Sequence, residues 1–124
     1  MNREIIFRGK SIAKGKWLYG NIQIPKAPFD KYFMWDNGWQ TQVDANTIEQ
    51  YTGLKDKVGK KIFEGDIVTI SNNLKAVVIW FNGSFRFKDE LSCKATYFDD
   101  IGVIMRDYDV LVVGNIHDNP ELIK

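Results

Sequence analysis

Apolar positions in this chain recur mostly at every second residue, in short runs broken by glycine, proline, asparagine and aspartate. Residues 17–24 set Leu18, Gly20, Ile22 and Ile24 on one face and Trp17, Tyr19, Asn21 and Gln23 on the other. Period two is the pattern of a half-buried strand, and Gly20 on the apolar side predicts a close backbone approach or a bulge. Ile5-Ile6-Phe7 predicts an earlier strand that stops at Arg8-Gly9-Lys10 and pairs with residues 17–24 as a hairpin. Pro25 and Pro28 end that second strand in a loop. Tyr32-Phe33-Met34-Trp35 and Trp39-Gln40-Thr41-Gln42-Val43 are strands on either side of Asp36-Asn37-Gly38, a turn whose Asn and Gly accept the positive φ of a tight hairpin.

The β pattern breaks at residues 44–51. Asp44 or Asn46 is placed to cap a short helix carrying Ile48 and Tyr51 on one face, with Gly53 just past its end. The stretch from Gln50 to Val68 then reads as a specified connector: Gly59 at a hairpin corner, Gly65-Asp66 introducing the next strand, and Asp56, Glu64 and Asp66 positioned to accept from turn backbone. Strands follow at residues 67–70 and 75–81, the second apolar on both faces and therefore central. Asn82-Gly83 turns that strand into Ser84-Phe85-Arg86-Phe87-Lys88, with Phe85 and Phe87 inward. Ser71-Asn72-Asn73 is a turn, Tyr97-Phe98 is either a short extended piece or one helical turn, and residues 108–114 are the last strand. Asn119-Pro120-Glu121 starts a terminal helical turn, with Asn as cap and Pro in first position.

Many short strands at near-regular spacing with one short helix predict a mainly β fold: a small SH3-like barrel in the C-terminal half, with additional antiparallel strands before it. The 124 residues form a single domain, with sub-halves at 1–52 and 53–124. An aromatic content of 14% strengthens the β assignment. A net charge of +1 argues against a surface that attracts polyanions everywhere, while leaving room for a local basic patch. Cys93 is the sole cysteine, so no intrachain disulfide forms and a reducing cytoplasm is expected. No apolar run reaches the roughly 18–20 residues of a membrane span, and residues 1–8 lack the apolar core of a signal peptide.

Three blocks carry a family resemblance. The first is Phe7-Arg8-Gly9-Lys10 with Gly15, Trp17, Tyr19 and Gly20. The second runs from Gln50 through Gly53, Asp56, Gly59, Gly65 and Asp66 to Val68, and the third is Gly114-Asn115-Ile116-His117-Asp118-Asn119-Pro120-Glu121-Leu122. In these blocks the chain resembles the YopX family of phage and prophage proteins, from one terminus to the other. Residues 25–31 and 91–107 stand outside them. The resemblance implies a mainly β fold grouped with SH3-type barrels and a bacterial, cytoplasmic setting. It implies no catalytic residue.

The candidate chemistry is sparse. His117 and Cys93 are the only residues of their kinds, so one chain cannot assemble a His/Cys zinc site, and no pattern points to another cofactor. His117-Asp118 offers a base–orienter pair, although Asn115, His117, Asp118 and Asn119 are also the residue types that close a turn. Asp99, Asp100, Asp107 and Asp109 lack calcium-loop spacing. Gly53, Gly59 and Gly65 do not form the Gly-x-x-x-x-Gly-Lys-Ser/Thr pattern of a phosphate loop and lack its βαβ context. Lys55, Lys57, Lys60 and Lys61, beside Lys10, Lys14 and Lys16, form a strip able to contact phosphates, with Arg8, Trp17 and Tyr19 available for stacking. Trp35 and Trp39 flank a turn and suit a protein contact. The expectation is a non-enzymatic module that binds a protein partner or itself, with nucleic-acid binding through the lysines as the alternative and an enzyme built on His117 and Asp118 third.

Overall fold

The computed structural model describes residues 3–71, 74–89 and 96–123, which divide into two compact units, Met1–Tyr51 and Thr52–Lys124. In the first unit β1 (Phe7–Lys10) pairs antiparallel with β2 (Trp17–Gly20) and, on its other side, with the start of β6 (Glu49–Lys55). A second sheet orders β3 (Ile22–Gln23), β4 (Tyr32–Asp36) and β5 (Trp39–Val43) as a meander. Leu18, Met34 and Val43 are the buried centre of this unit, with Phe7, Ile22, Tyr32 and Ile48 packed around them.

Three expectations for this unit are corrected. The first strand is not Ile5-Ile6-Phe7 but Phe7–Lys10, with Arg8 and Gly9 buried. Arg8 is tolerated there because Glu49, opposite it on β6, neutralises it, and Gly9 because an added Cβ would stand 3.2–3.3 Å from Met34 Sδ and Val43 Cβ. Residues 17–24 do not run as one strand: β2 ends at Gly20, at φ 141°, Asn21 separates it from β3, and Ile24 ends 71% exposed. The short helix is a single 3-10 turn, Ala45–Thr47, capped by Asp44, whose Oδ1 accepts from Asn46 N. Thr47 donates its hydroxyl to Asp44 O and accepts from Lys10 N, and Glu49 is already pairing with Arg8, so the helix has no room to continue. Gly53 consequently lies inside β6, at φ 88°, and not beyond a helix end.

In the second unit β7 (Lys61–Phe63) follows a turn from β6. A five-stranded antiparallel sheet then runs in the order β11 (Thr96–Asp100), β10 (Ser84–Asp89), β9 (Leu74–Phe81), β8 (Asp66–Ile70), β12 (Val110–Asn115). Its order has two ends, so the described strands form an open sheet and no closed barrel. The β9 strand is central as expected, and Asn82-Gly83 turns it with φ of 50° and 81°. The core joins Ile62, Val68, Ile70, Ala76, Val78, Phe87, Ile101 and Val110. The helix α1 (Ile101–Asp107) was not expected. Asp100 caps it by accepting from Gly102 N, and Ile101, Ile104 and Met105 turn inward. Tyr97 and Phe98 fall in β11, which settles that stretch as extended. The last strand starts at Val110, two residues later than its apolar run, and a terminal 3-10 turn covers Pro120–Ile123. Asn72, Asn73 and Cys93 lie outside the described residues.

Candidate binding face

The connector between β6 and β7 is built on Asp56. Its backbone N–H donates to Lys60 O, and its buried carboxylate accepts from Val58 N and Lys60 N through Oδ1 and from Val112 N through Oδ2. One side chain thereby closes the turn and ties it to β12. Gly59 takes the positive φ the corner requires, 89°. Asp66 does similar work one turn later, accepting from Phe63 N, while Gly65 donates its N–H to Val78 O and accepts from Ile116 N. The four lysines decorate this frame. Lys57 Nζ lies 3.0 Å from Asp109 Oδ2, Lys55 and Lys60 are exposed, and Lys61 is half-buried at the start of β7. Arg8, offered with them as a stacking cation, is instead buried, 2.9 Å from Glu49 and with its guanidinium 4.7 Å from the Trp17 ring.

The C-terminal motif is also a turn. Asn115 Oδ1 accepts from His117 N and Asp118 N, Asn115 Nδ2 donates to Asp118 Oδ2, and Asn119 Oδ1 accepts from Asn115 N. Among the described residues no three or more His, Cys, Asp or Glu side chains come together as metal ligands.

Trp35 and Trp39 are both exposed, 60% and 76%, but they do not form one patch. Cross-strand partners share a face, and the register pairs Trp35 with Gln40 but Trp39 with Asp36. Trp39 therefore belongs to the side that carries Met34 and Asp36. Trp35 belongs to the outer side, with Phe33 beside it on β4, Gln40 and Gln42 on β5 and Gln23 on β3. Gln40 Nε2 donates to Gln23 Oε1 at 2.6 Å, bridging the two outer strands across this face.

The outer side continues into the loop at residues 25–31. Together they enclose a concavity of about 440 Å³ lined by Ile24, Pro25, Phe29 and Phe33, with Gln23, Gln40, Lys26 and Lys31. Neither Lys55–61 nor His117 lines it. A second concavity, about 340 Å³ and apolar, is lined by Ile70, Leu74, Ile104, Tyr108 and Ser71. Sequence reasoning missed the first concavity because Ile24 counted as an inward residue of an unbroken strand. The available signal was the density of apolar and basic residues around two prolines.

The architecture defines a mainly β, antiparallel protein of two units, whose motif residues hold turns and whose N-terminal sheet presents an aromatic outer face. The family model described as YopX protein matches residues 7–124, and the chain belongs to that family. Its fold is similar to the crystal structure of protein EF1440 from Enterococcus faecalis, with a TM-score of 0.60 and 25% identity, covering 99% of this chain and 100% of that one. No curated protein matches the chain. No helix among the described residues is long and apolar enough to cross a membrane.

Proposed function

We propose that the protein is a non-enzymatic phage or prophage accessory module, working in the cytoplasm of a bacterial host, that binds another macromolecule through the outer face of its N-terminal three-stranded sheet. The observation that carries this reading is Trp35. Trp35 is 60% exposed beside Phe33, on the side of the sheet opposite to the one that carries the buried Met34. Large exposed aromatics are the usual anchors of a contact, and Phe33, the neighbour of Trp35 on the same side of β4, lines the concavity. The motif residues favour a non-enzymatic role, since Asp56, Asp66, Asn115 and Asn119 are engaged with turn backbone. The open five-stranded sheet of the C-terminal unit is the part that would answer to an SH3-like barrel. The lysine strip is the weaker surface, because Asp109 already engages Lys57.

The test is capture from a host lysate by immobilised wild type and by Trp35→Ala, with light scattering of both to read self-association. Capture or assembly that depends on Trp35 is expected. Identical behaviour of the two chains removes this face from the function.

A further inference from the structure

We infer that the outer face of the β3–β4–β5 sheet binds single-stranded nucleic acid, with Phe33 and Trp35 stacking on bases and Lys26 and Lys31 contacting phosphates. The inference rests on the binding-face reading and names its partner.

Spacing is the first argument. Phe33 and Trp35 are alternate residues of one strand, so their side chains leave the sheet on the same side about 6.8 Å apart. An antiparallel sheet bearing neighbouring aromatics on one face is a platform on which unstacked bases settle, and it is closed to duplexes, whose bases are already stacked. Phe29, 74% exposed in the adjoining loop, lines the same concavity as Phe33.

Charge is the second. Two lysines and no carboxylate line the concavity that Phe33 and Phe29 share. Asp36, the acid of the same hairpin, belongs to the opposite face and is held 2.9 Å from Lys16, and Asp30, within the loop, is not part of the lining. A polyanion fits this arrangement. A protein partner fits it less well, since the cores of protein interfaces are depleted in lysine.

The third argument is the amide pair. The Gln23–Gln40 bridge uses Gln40 Nε2 and Gln23 Oε1, leaving Gln40 Oε1 and Gln23 Nε2 outside that bond, an acceptor and a donor suited to base edges. The resulting site is separate from Lys55–Lys61: stacking supplies the affinity and the two lysines supply a modest salt dependence.

Fluorescence anisotropy with fluorescein-labelled dT15 and U15, and a 15-base-pair duplex as control, tests this. Both single strands are expected to bind at low salt, more tightly than the duplex, and their ratio reads any preference for DNA or RNA. Trp35→Ala should weaken binding at least about fivefold, the lower end for loss of one stacked base. Lys26→Ala/Lys31→Ala should flatten the dependence of log K on log salt by about 1.4, two phosphates' worth for a single strand. Lys55→Ala/Lys57→Ala should change neither quantity. Circular dichroism of the variants, all at exposed positions, separates loss of binding from loss of fold. Absence of binding by the wild type, or binding that Trp35→Ala leaves intact, overturns the inference. If oligonucleotides fail while Trp35-dependent capture survives nuclease treatment of the lysate, the nucleic-acid identity is wrong and the binding face stands. Failure of both overturns both.

Discussion

Asp56 shows how much of this family's central motif is turn chemistry. A carboxylate offers acceptors only, and here both oxygens face backbone N–H groups, those of Val58, Lys60 and Val112. Asp56→Asn keeps the shape but turns an NH2 toward one of those donors. It should destabilise the protein by about 1–3 kcal/mol, as expected for a partly buried donor left without its partner, and urea melts would register it. A variant as stable as wild type would mean that these bonds are replaced by water at no cost. Gly65 and Lys57 give the contrasting pair. Gly65 is buried at φ 84° with both backbone groups engaged, so Gly65→Val should unfold or misassemble the chain. Lys57→Ala removes only an exposed ion pair with Asp109, worth under about 1 kcal/mol, and should barely move the thermal midpoint. Equal midpoints for the two variants would show that the connector is not a structural hub. The roles of Gly59, Gly65 and Asp56 were legible from residue type, because positive φ and Asx acceptance are local properties. Burial of Arg8 was not, because its partner Glu49 is forty-one positions away and nothing local reveals the pairing.

Elements were legible where two adjacent strands share a turn. Asn37-Gly38 and Asn82-Gly83 both take the positive φ that their sequence demands, and their hairpins register accordingly. The reading failed where a helix signal competed with long-range pairing. Asp44 does cap a turn, but β1 claims Glu49 and the helix ends within three residues. It failed in the other direction at α1, whose Asp100 cap and inward Ile101, Ile104 and Met105 were present in the sequence but followed a stretch with no clear period. The end of β12 supplies a prediction at this scale. A Cβ added at Gly114 would stand 2.6 Å from Asn119 Oδ1 and 3.1 Å from Asn119 Cβ. Gly114→Ala must therefore displace the side chain that accepts from Asn115 N and loosen the terminal turn. We expect a loss of about 1–3 kcal/mol, as for overpacking elsewhere, and partial rescue in Gly114→Ala/Asn119→Gly. No rescue in denaturant melts would place the strain in the strand itself and not in its contact with the turn.

At the scale of the whole molecule, the described residues form two core clusters with no member in common. The N-terminal one is centred on Leu18, Met34 and Val43, in a unit that also buries the polar residues Arg8, Ser11, Thr47 and Glu49. The C-terminal one has eight fully apolar members around Phe87 and Val78. Apolar burial is the main favourable contribution to stability, so the N-terminal unit should open at lower free energy, as a cooperative piece of its own. Native-state hydrogen exchange would show lower protection for the amides of β4 and β5 than for those of β8 and β9. Met34→Ala sharpens the test: truncating this buried side chain costs about 2–5 kcal/mol. The loss should appear in β4 and β5 while Val68 and Val78 keep their protection. The single strand β6, continuous from Glu49 to Lys55, is the counterweight, since its backbone belongs to both units. If it transmits the opening, the variant will lower protection everywhere by the same amount, and the two cores fold as one. If it frays at Tyr51 and Thr52, the N-terminal sheet is free to loosen around a bound partner while the C-terminal sheet stays intact. That outcome would place the candidate binding face on the less stable of the two units.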